Sequence, residues 1–205
     1  MEDVLEVYQR HYEEDEVLIC MDETSKQHIK ETRTPLPTRP GEPERCDYEY
    51  ERNGVSNLFM LFAPLEGWRH VKVTDRHTKV DWAQLIKELV DEHHPKKKII
   101  LVMDNLNTHK LGSLYEAFEP AEARRIADRL EIHYTPKHGS WLDMAEIEIG
   151  VLSRQCLDRR LPDQETLKRE INAWQNTRNQ KAIRVDWRFT AEDARTKLKS
   201  LYPSI

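Results

Sequence analysis

Two short apolar runs, each followed at once by an aspartate, constrain the fold of this 205-residue chain more than any other feature. The first is residues 17–21 (VLICM) before Asp22, and the second is residues 99–103 (IILVM) before Asp104. Runs of this length and composition predict strands buried on both faces. In open α/β sheets, functional sites form beyond the carboxyl ends of such strands. We therefore expect two central strands and a site where they end, although one such aspartate alone is more typical of a turn or a helix cap.

The remaining patterns predict a mixed sheet covered by helices. Strands are expected over residues 55–63, 68–73 and 130–134, and four prolines make residues 32–45 an irregular loop. Helices are expected over residues 111–130 and from about residue 144, and after the caps Thr78, Asp163 and Thr190. Antiparallel neighbours combined with strand–helix–strand units give one α/β sheet flanked by helices.

Composition excludes several classes of protein. Apolar residues make up 38% and charged residues 34%, and no apolar run of 18 residues exists, so we expect no membrane span. The acidic N-terminus lacks an apolar signal core. The three cysteines, Cys20, Cys46 and Cys156, form no C-x-x-C pair, which argues against a disulfide scaffold or a zinc site and favours buried thiols in a reducing cytoplasm.

Charge is distributed unevenly along the chain. The net charge is -5, yet residues 1–51 hold 6 Lys and Arg against 15 Asp and Glu, whereas residues 151–205 hold 12 against 7. The basic C-terminal quarter could face a polyanion, or it could be an ordinary solvated helical face.

A third acidic group follows the last predicted strand. On a helical wheel, Met144, Ile147, Val151 and Leu152 form the apolar side, with Glu148 within it and Glu146 nearly opposite. Glu146 is thus free to project into a cleft, or it is simply a first-turn carboxylate favoured by the helix dipole. Together with the two strand-end aspartates it would give an oxygen-rich site suited to magnesium or manganese. Two ions in such a site clamp the oxygens of an in-line phosphoryl transfer.

The segments CMDE, LVMDNLNTHK and TPKHGSWLDMAEIE, in this order, resemble the DDE endonuclease domain of bacterial insertion-sequence transposases. The nearest resemblance is to the insertion-sequence 630 family of the Tc/mariner superfamily. It implies a ribonuclease H-like fold and cut-and-paste DNA cleavage and strand transfer into TA dinucleotides. By motif position, Asp22, Asp104 and Glu146 match the triad, which would hold two Mg²⁺ or Mn²⁺ ions. The implied partners are transposon-end and target DNA, bound by a homodimer in the bacterial cytoplasm near the nucleoid.

The chain departs from that family pattern in three ways. The helix-turn-helix region that binds transposon ends is not expected here, because only about sixteen residues precede the first strand. We therefore expect one catalytic domain over 1–205, with a helical lead-in over 1–16, a helical extension over 160–205, and end recognition by a separate part. Asp143 replaces the usual asparagine, which could hinder DNA approach or assist metal binding. The interval between Asp104 and Glu146 is longer than usual.

Several polar residues near the triad are candidates for DNA contact: Asn107, His109, Lys137, His138, Arg154, Arg159 and Arg160. Asn105, Asn107 and His109 could instead cap the next helix, Lys137 and His138 could belong to an ordinary turn, and the arginines could be solvated. Glu23 and Glu148 are expected to be structural or to support the site, and Trp141 is expected to be a packing anchor. Two alternative functions stay open at this point: a catalytically silent DNA-binding transposase remnant, and a ribonuclease H-like nuclease without strand transfer.

Overall fold

A computed structural model of the chain describes residues 1–43, 45, 47–137 and 139–202. Its five strands are β1 (Glu16–Glu31), β2 (Tyr50–Ala63), β3 (Trp68–Thr74), β4 (Lys98–Met103) and β5 (Leu130–Tyr134). They form one sheet in the order β3-β2-β1-β4-β5. The pairs β1/β2 and β2/β3 are antiparallel, while β1/β4 and β4/β5 are parallel. This confirms the predicted mixed α/β sheet.

The first strand is longer than its apolar run predicts. Its parallel pairing with β4 stops at Met21, opposite Met103, but its antiparallel pairing with β2 continues to Glu31. The prediction that the strand ends at Asp22 is therefore wrong. The outer half of β1 is polar because it has a strand on one side only, so an apolar run could not signal it. Asp22 nevertheless lies where the parallel part of the sheet ends.

Helices cover both faces of this sheet. In chain order they are α1 (Glu2–Gln9), α2 (Lys79–Glu88), α3 (Leu111–Ala117), α4 (Pro120–Ala127), α5 (Met144–Leu152), α6 (Gln164–Gln180) and α7 (Ala191–Lys197). Capping boxes at Thr78 and Thr190 and the Asp163 cap are present as predicted. The single helix predicted over 111–130 is wrong. Phe118 and Glu119 are extended and Pro120 begins a second helix, because proline lacks the N–H that a continuous helix needs there.

Alternation along β1 assigns the helices to the two faces. Leu18 and Cys20 face a core shared with α1, α5, α6 and α7. Ile19 and Met21 face the opposite core, which α2, α3 and α4 cover. The two cores explain why the central strands are apolar at every position.

Outside these elements, residues 32–43 and 45 form the irregular segment that their prolines predict, with isolated bridges joining Leu36 to Arg45 and Arg39 to Glu42. Cys20 and Cys156 are buried as expected, and Cys46 lies outside the described residues. In the part of the chain that the structure describes, none of the helices has the length and apolarity to cross a bilayer.

Candidate active site

Strand register brings Asp22 and Asp104 to the same edge of the sheet. Cys20 pairs with Val102 and Met21 with Met103, so the two aspartates occupy the next position on neighbouring parallel strands. Asp22 lies on the same face of β1 as Cys20, because side chains two residues apart share a face. Asp22 therefore points to the side of the sheet that α5 covers. Asp104 follows the last residue of β4, Met103, and its position at this edge is set by the end of that strand.

The third carboxylate stands on the first turn of α5. This helix begins after Asp143, whose Oδ1 accepts a hydrogen bond from the Ala145 amide at 2.8 Å. Glu146 is exposed and Glu148 is buried, which confirms the predicted orientation of the two glutamates. The apolar side differs at two of its four predicted positions, since Ile147 is 44% exposed and Val151 is only partly buried. The buried face is formed by Met144, Ala145, Glu148 and Leu152.

The three carboxylates lie within electrostatic reach of one another. Burial raises the pKa of Asp22 to about 6, and the charges of Asp104 and Glu146 add to that rise, while the Glu23 amide, which donates to Asp22 Oδ1 at 2.8 Å, opposes it. Ionised Asp22 is therefore destabilised in the isolated protein. Such a perturbed cluster at a strand edge is typical of a functional site.

A fourth carboxyl group, that of Asp143, lies behind these three. Asp143 is 2% exposed, and among the described residues its Oδ2 has no hydrogen-bond partner. Burial raises its pKa well above the ordinary value, and the charges of Asp22, Asp104 and Glu146 raise it further. Asp143 therefore serves as a buried helix cap, and it is too enclosed to face DNA.

His109 is the polar group that holds Asp104. Its Nδ1 lies 2.5 Å from Asp104 Oδ1, and its Nε2 lies 3.5 Å from Glu23 Oε2. Burial disfavours the charged ring, but the hydrogen bond to Asp104 and the nearby Glu23 carboxylate outweigh it and raise the pKa of His109 to about 9. His109 is 0% exposed, so in this structure it supports Asp104 rather than presenting its ring to a ligand.

The donor set can be compared with what a metal ion requires. Asp22, Asp104 and Glu146 offer only carboxylate oxygens, which suit Mg²⁺ or Mn²⁺, and a cation would relieve the repulsion that raises the pKa of Asp22. Within the described residues, no three His, Cys, Asp or Glu side chains converge closely enough to enclose an ion. The chemistry of the donors therefore fits a divalent cation.

The predicted contact residues of the two loops have different surroundings. Asn107 is exposed, with its Oδ1 3.2 Å from Lys110 Nζ, and Lys137 is also exposed. His138 lies outside the described residues. The alternative that Asn105, Asn107 or His109 caps the next helix is wrong, because α3 starts after Lys110 without a side-chain cap.

The three arginines beyond α5 fall into two groups. Arg159 Nη2 lies 2.5 Å from Glu170 Oε2, and Arg160 Nη1 lies 2.5 Å from Glu31 Oε2. Arg154 is exposed and has no carboxylate partner among the described residues. The sequence did not distinguish among them, because pairing depends on elements distant along the chain.

Aromatic side chains support the loop before α5. Trp141 packs beside Trp187 and Phe189, with ring centroids 6.5 and 5.8 Å away, although it is 40% exposed. Tyr8 of α1, which sequence reasoning did not single out, donates from its hydroxyl to the Leu142 carbonyl at 2.6 Å. No local signal identifies Tyr8, since it reads as one more apolar residue of a short helix.

The chain is thus an α/β domain with one carboxylate inside β1, a second directly after β4 and a third on the following helix α5. Residues 17–168 match the family model of the DDE superfamily endonucleases, and the chain belongs to this family. The sheet and its helices form a ribonuclease H-like fold. None of the curated protein sequences matches the chain.

Solved structures of Mos1 transposase share this fold. The paired-end complex with the left transposon end superposes with a TM-score of 0.59 at 14% identity, over 89% of this chain and 56% of that chain. The strand transfer complex gives 0.56 at 13% identity, over 88% and 57%. The mariner paired-end complex with Mn gives 0.55 at 14% identity, over 88% and 55%. The chain thus spans little more than half the length of these Mos1 chains.

Proposed function

We propose that this chain is the catalytic domain of a transposase that cuts and joins DNA strands, of the insertion-sequence 630 family within the Tc/mariner superfamily. The observation that carries the proposal is the register of β1 and β4, which sets Asp22 and Asp104 side by side with Glu146 near enough to perturb Asp22. Membership of the DDE superfamily endonucleases supports the same chemistry.

In this proposal Asp22, Asp104 and Glu146 hold two Mg²⁺ or Mn²⁺ ions. When bound, such ions lower the pKa of water and neutralise charge on the transferred phosphate. His109, held charged between Asp104 and Glu23, fixes one oxygen of Asp104. Pairing within the sheet sets the position of Asp22 in β1 and of Asp104 directly after β4, and the exposed Glu146 supplies the adjustable ligand. A Mos1 complex with Mn supports this choice of ions.

The partner in this proposal is DNA, comprising transposon ends and a TA target, bound by a homodimer in the bacterial cytoplasm. Mos1 structures with a transposon end and of a strand transfer complex support this class of partner. Asn107, Lys137, His138 and Arg154 are the proposed contacts, with Arg154 the best placed and His109 acting through Asp104. Arg159 and Arg160 are left out of this proposal because each is paired with a carboxylate of the protein. End recognition would come from a separate helix-turn-helix part.

One observation favours a second candidate, a catalytically silent DNA-binding module. Three site carboxylates do not converge on one point within the described residues. A silent module would bind DNA with the usual salt dependence but independently of metal, and it would not nick DNA.

The decisive experiment is nicking of supercoiled plasmid under Mg²⁺ and Mn²⁺ titration. We expect wild type to nick, and Asp22→Asn, Asp104→Asn and Glu146→Gln each to lose about 10³-fold or more in rate, because the ions contribute several kcal/mol to the transition state. Asp128→Asn, which alters a surface carboxylate paired with Arg124, is the control and should cut normally.

Thermal unfolding should show that the Asp22→Asn and Asp104→Asn variants remain folded. Metal-dependent cutting by either variant at the wild-type rate would contradict the proposed roles. Joining of a pre-cut end to target DNA would then separate a transposase from a nuclease that only cleaves.

A further inference from the structure

A groove lies along the outer half of β1, beginning two residues beyond Asp22. Asp22, Thr24 and Lys26 share one face of this strand, since alternate residues point to the same side. At roughly 3.3 Å per residue, Thr24 and Lys26 lie about 7 and 13 Å beyond Asp22. The opposite wall is the end of α5 and the π-helical turn Ser153–Leu157 that prolongs it. The groove has a volume of about 380 Å³ and is lined by Thr24, Ser25, Lys26, Ser153, Arg154, Leu157 and Asp158.

Arg154 reaches back from this turn toward Glu146. Glu146, Gly150 and Arg154 are spaced four residues apart, so they form one stripe on the helix surface. A Cβ at Gly150 would lie 3.6 Å from Arg154 Nη1, which shows that the guanidinium lies over this glycine. The guanidinium of Arg154 therefore lies one helical turn from Glu146 and lines the groove.

The other groove residues have defined roles. Lys26 Nζ donates to the Leu157 carbonyl at 2.6 Å, which ties the two walls together while keeping a positive charge between them. Thr24, Ser25 and Ser153 add hydroxyl groups, and exposed Asp158 stands among the lining residues as the opposing charge. π-Helical turns are frequent at functional sites, where they reorient a side chain.

We propose that this groove binds a phosphodiester of the DNA backbone near the phosphodiester that is cut, with Arg154 as its principal contact. The inference rests on the proposed function, because it places the DNA backbone relative to Asp22 and Glu146. Arginine and hydroxyl groups are the usual donors to phosphate oxygens. Arg159 and Arg160, held by Glu170 and Glu31, are not part of this contact.

The test measures binding of a fluorescein-labelled DNA duplex by fluorescence anisotropy at several salt concentrations. Arg154→Ala should weaken binding about tenfold and reduce the slope of log affinity against log salt by about one, the effect of losing one phosphate contact. Arg159→Ala, which removes an arginine already paired with Glu170, is the matched control and should bind as wild type does. Both arginines are exposed, and thermal unfolding verifies that both variants are folded.

A second measurement identifies the phosphate itself. Phosphates of the duplex are replaced one at a time by neutral methylphosphonates, and each duplex is bound to wild type and to Arg154→Ala. At one position near the cut, the replacement should weaken wild type about tenfold and leave Arg154→Ala unchanged.

If wild type binds and cuts but Arg154→Ala matches Arg159→Ala, or if no position shows this coupling, the groove assignment is wrong and the proposed function stands. If wild type neither binds nor cuts DNA, the proposed function fails and this inference fails with it.

Discussion

Glu146 and Glu148 stand two residues apart on one helix and have opposite environments. Glu148 is 1% exposed, with its oxygens 2.6 and 3.0 Å from Arg178 Nε and Nη2 and 2.9 Å from Arg69 Nε. Arg69 is equally buried and also donates to the carbonyl groups of Gly67 and Ile183. This network joins α5 to β3 and α6, whereas the Glu146 side chain makes no hydrogen bond or ion pair within the described part of the chain.

The two glutamates should therefore separate stability from activity. Glu148→Ala leaves two buried or nearly buried arginines without their anion and should lower the free energy of unfolding by about 3–5 kcal/mol. Glu146→Ala should stay within about 0.5 kcal/mol of wild type and lose DNA cleavage. Urea unfolding and plasmid nicking on the same preparations measure both quantities. Equal loss of stability in the two variants would show that the helix is oriented differently.

At this scale, the sequence predicted the glutamates correctly and Asp143 incompletely. Helical periodicity alone distinguishes an exposed from a buried position, so Glu146 and Glu148 could be told apart. The burial of Asp143 could not be foreseen, because its neighbours Tyr8 and Cys20 come from α1 and β1, which are distant in sequence. Both are close enough to interact with its charge. The roles of the triad as metal ligands stay predictions.

Among the elements, the edge strand β3 and the π-helical turn Leu89–His93 meet through aromatic rings. His70 and His93 have ring centroids 4.5 Å apart, and Trp68 lies 5.0 Å from His93. Burial lowers the pKa of His70 to about 4, with a further contribution from the charge of His93. Glu88 opposes this shift, while Lys72 adds to it. His70 is therefore neutral at physiological pH.

This contact should weaken in acid. In the unfolded chain a histidine takes up its proton near pH 6.5, and folded His70 does so only near pH 4, so between these values the unfolded state binds more protons. His70 should therefore lower the free energy of unfolding by on the order of 2 kcal/mol as pH drops from about 6.5 to 4.

Urea unfolding as a function of pH measures this dependence. His70→Gln should show a correspondingly shallower fall, and His11→Gln, at an exposed position, should follow wild type. Parallel curves for wild type and His70→Gln would contradict the assignment.

Element boundaries were predictable where a local side chain sets them. The capping boxes at Thr78 and Thr190 define the starts of α2 and α7, and each box is a motif of only four consecutive residues. The end of β1 and the break between α3 and α4 were not predicted. The first depends on pairing with β2, and the second depends on a proline that is also common inside the first turn of a helix.

Over the whole molecule, the first helix, α1, contacts the last, α7, and the segment before it. Arg195 of α7 binds Glu2 of α1, and the Gln9 side chain donates to the Trp187 carbonyl at 3.1 Å. Tyr8 then links this assembly to the Leu142 carbonyl, one residue before the cap of the helix that bears Glu146. The N-terminal helix thus helps to fix the position of the first turn of α5.

Removing one hydroxyl should test this link. Tyr8→Phe deletes the donor to Leu142 and should cost about 1–2 kcal/mol of unfolding free energy. It should also speed hydrogen exchange of the amides in the first turns of α5. Tyr12→Phe is the matched control, since its hydroxyl donates to the Val7 carbonyl at 2.7 Å and does not reach α5. Equal exchange rates in α5 for the two variants would refute the link.

The global arrangement was predictable in outline from the order of its apolar runs. Alternating strands and helices imply the mixed sheet, and the apolar runs before Asp22 and Asp104 identify its centre. The pairing of the chain ends, and the ion pairs that distinguish Arg154 from its neighbours, join residues far apart in sequence. No local pattern encodes them.

The two helices between Asp104 and Glu146 have a consequence for recognising relatives. α3 and α4 pack on the face of the sheet opposite α5, with Leu114, Ala123 and Ile126 in the other core. Additional residues in the segment that contains α3 and α4, for example at Phe118 and Glu119, leave the start of α5 unchanged. The number of residues between the second and third acids is therefore set by helices outside the site. A motif search that demands one fixed interval will overlook proteins that have the same arrangement of carboxylates.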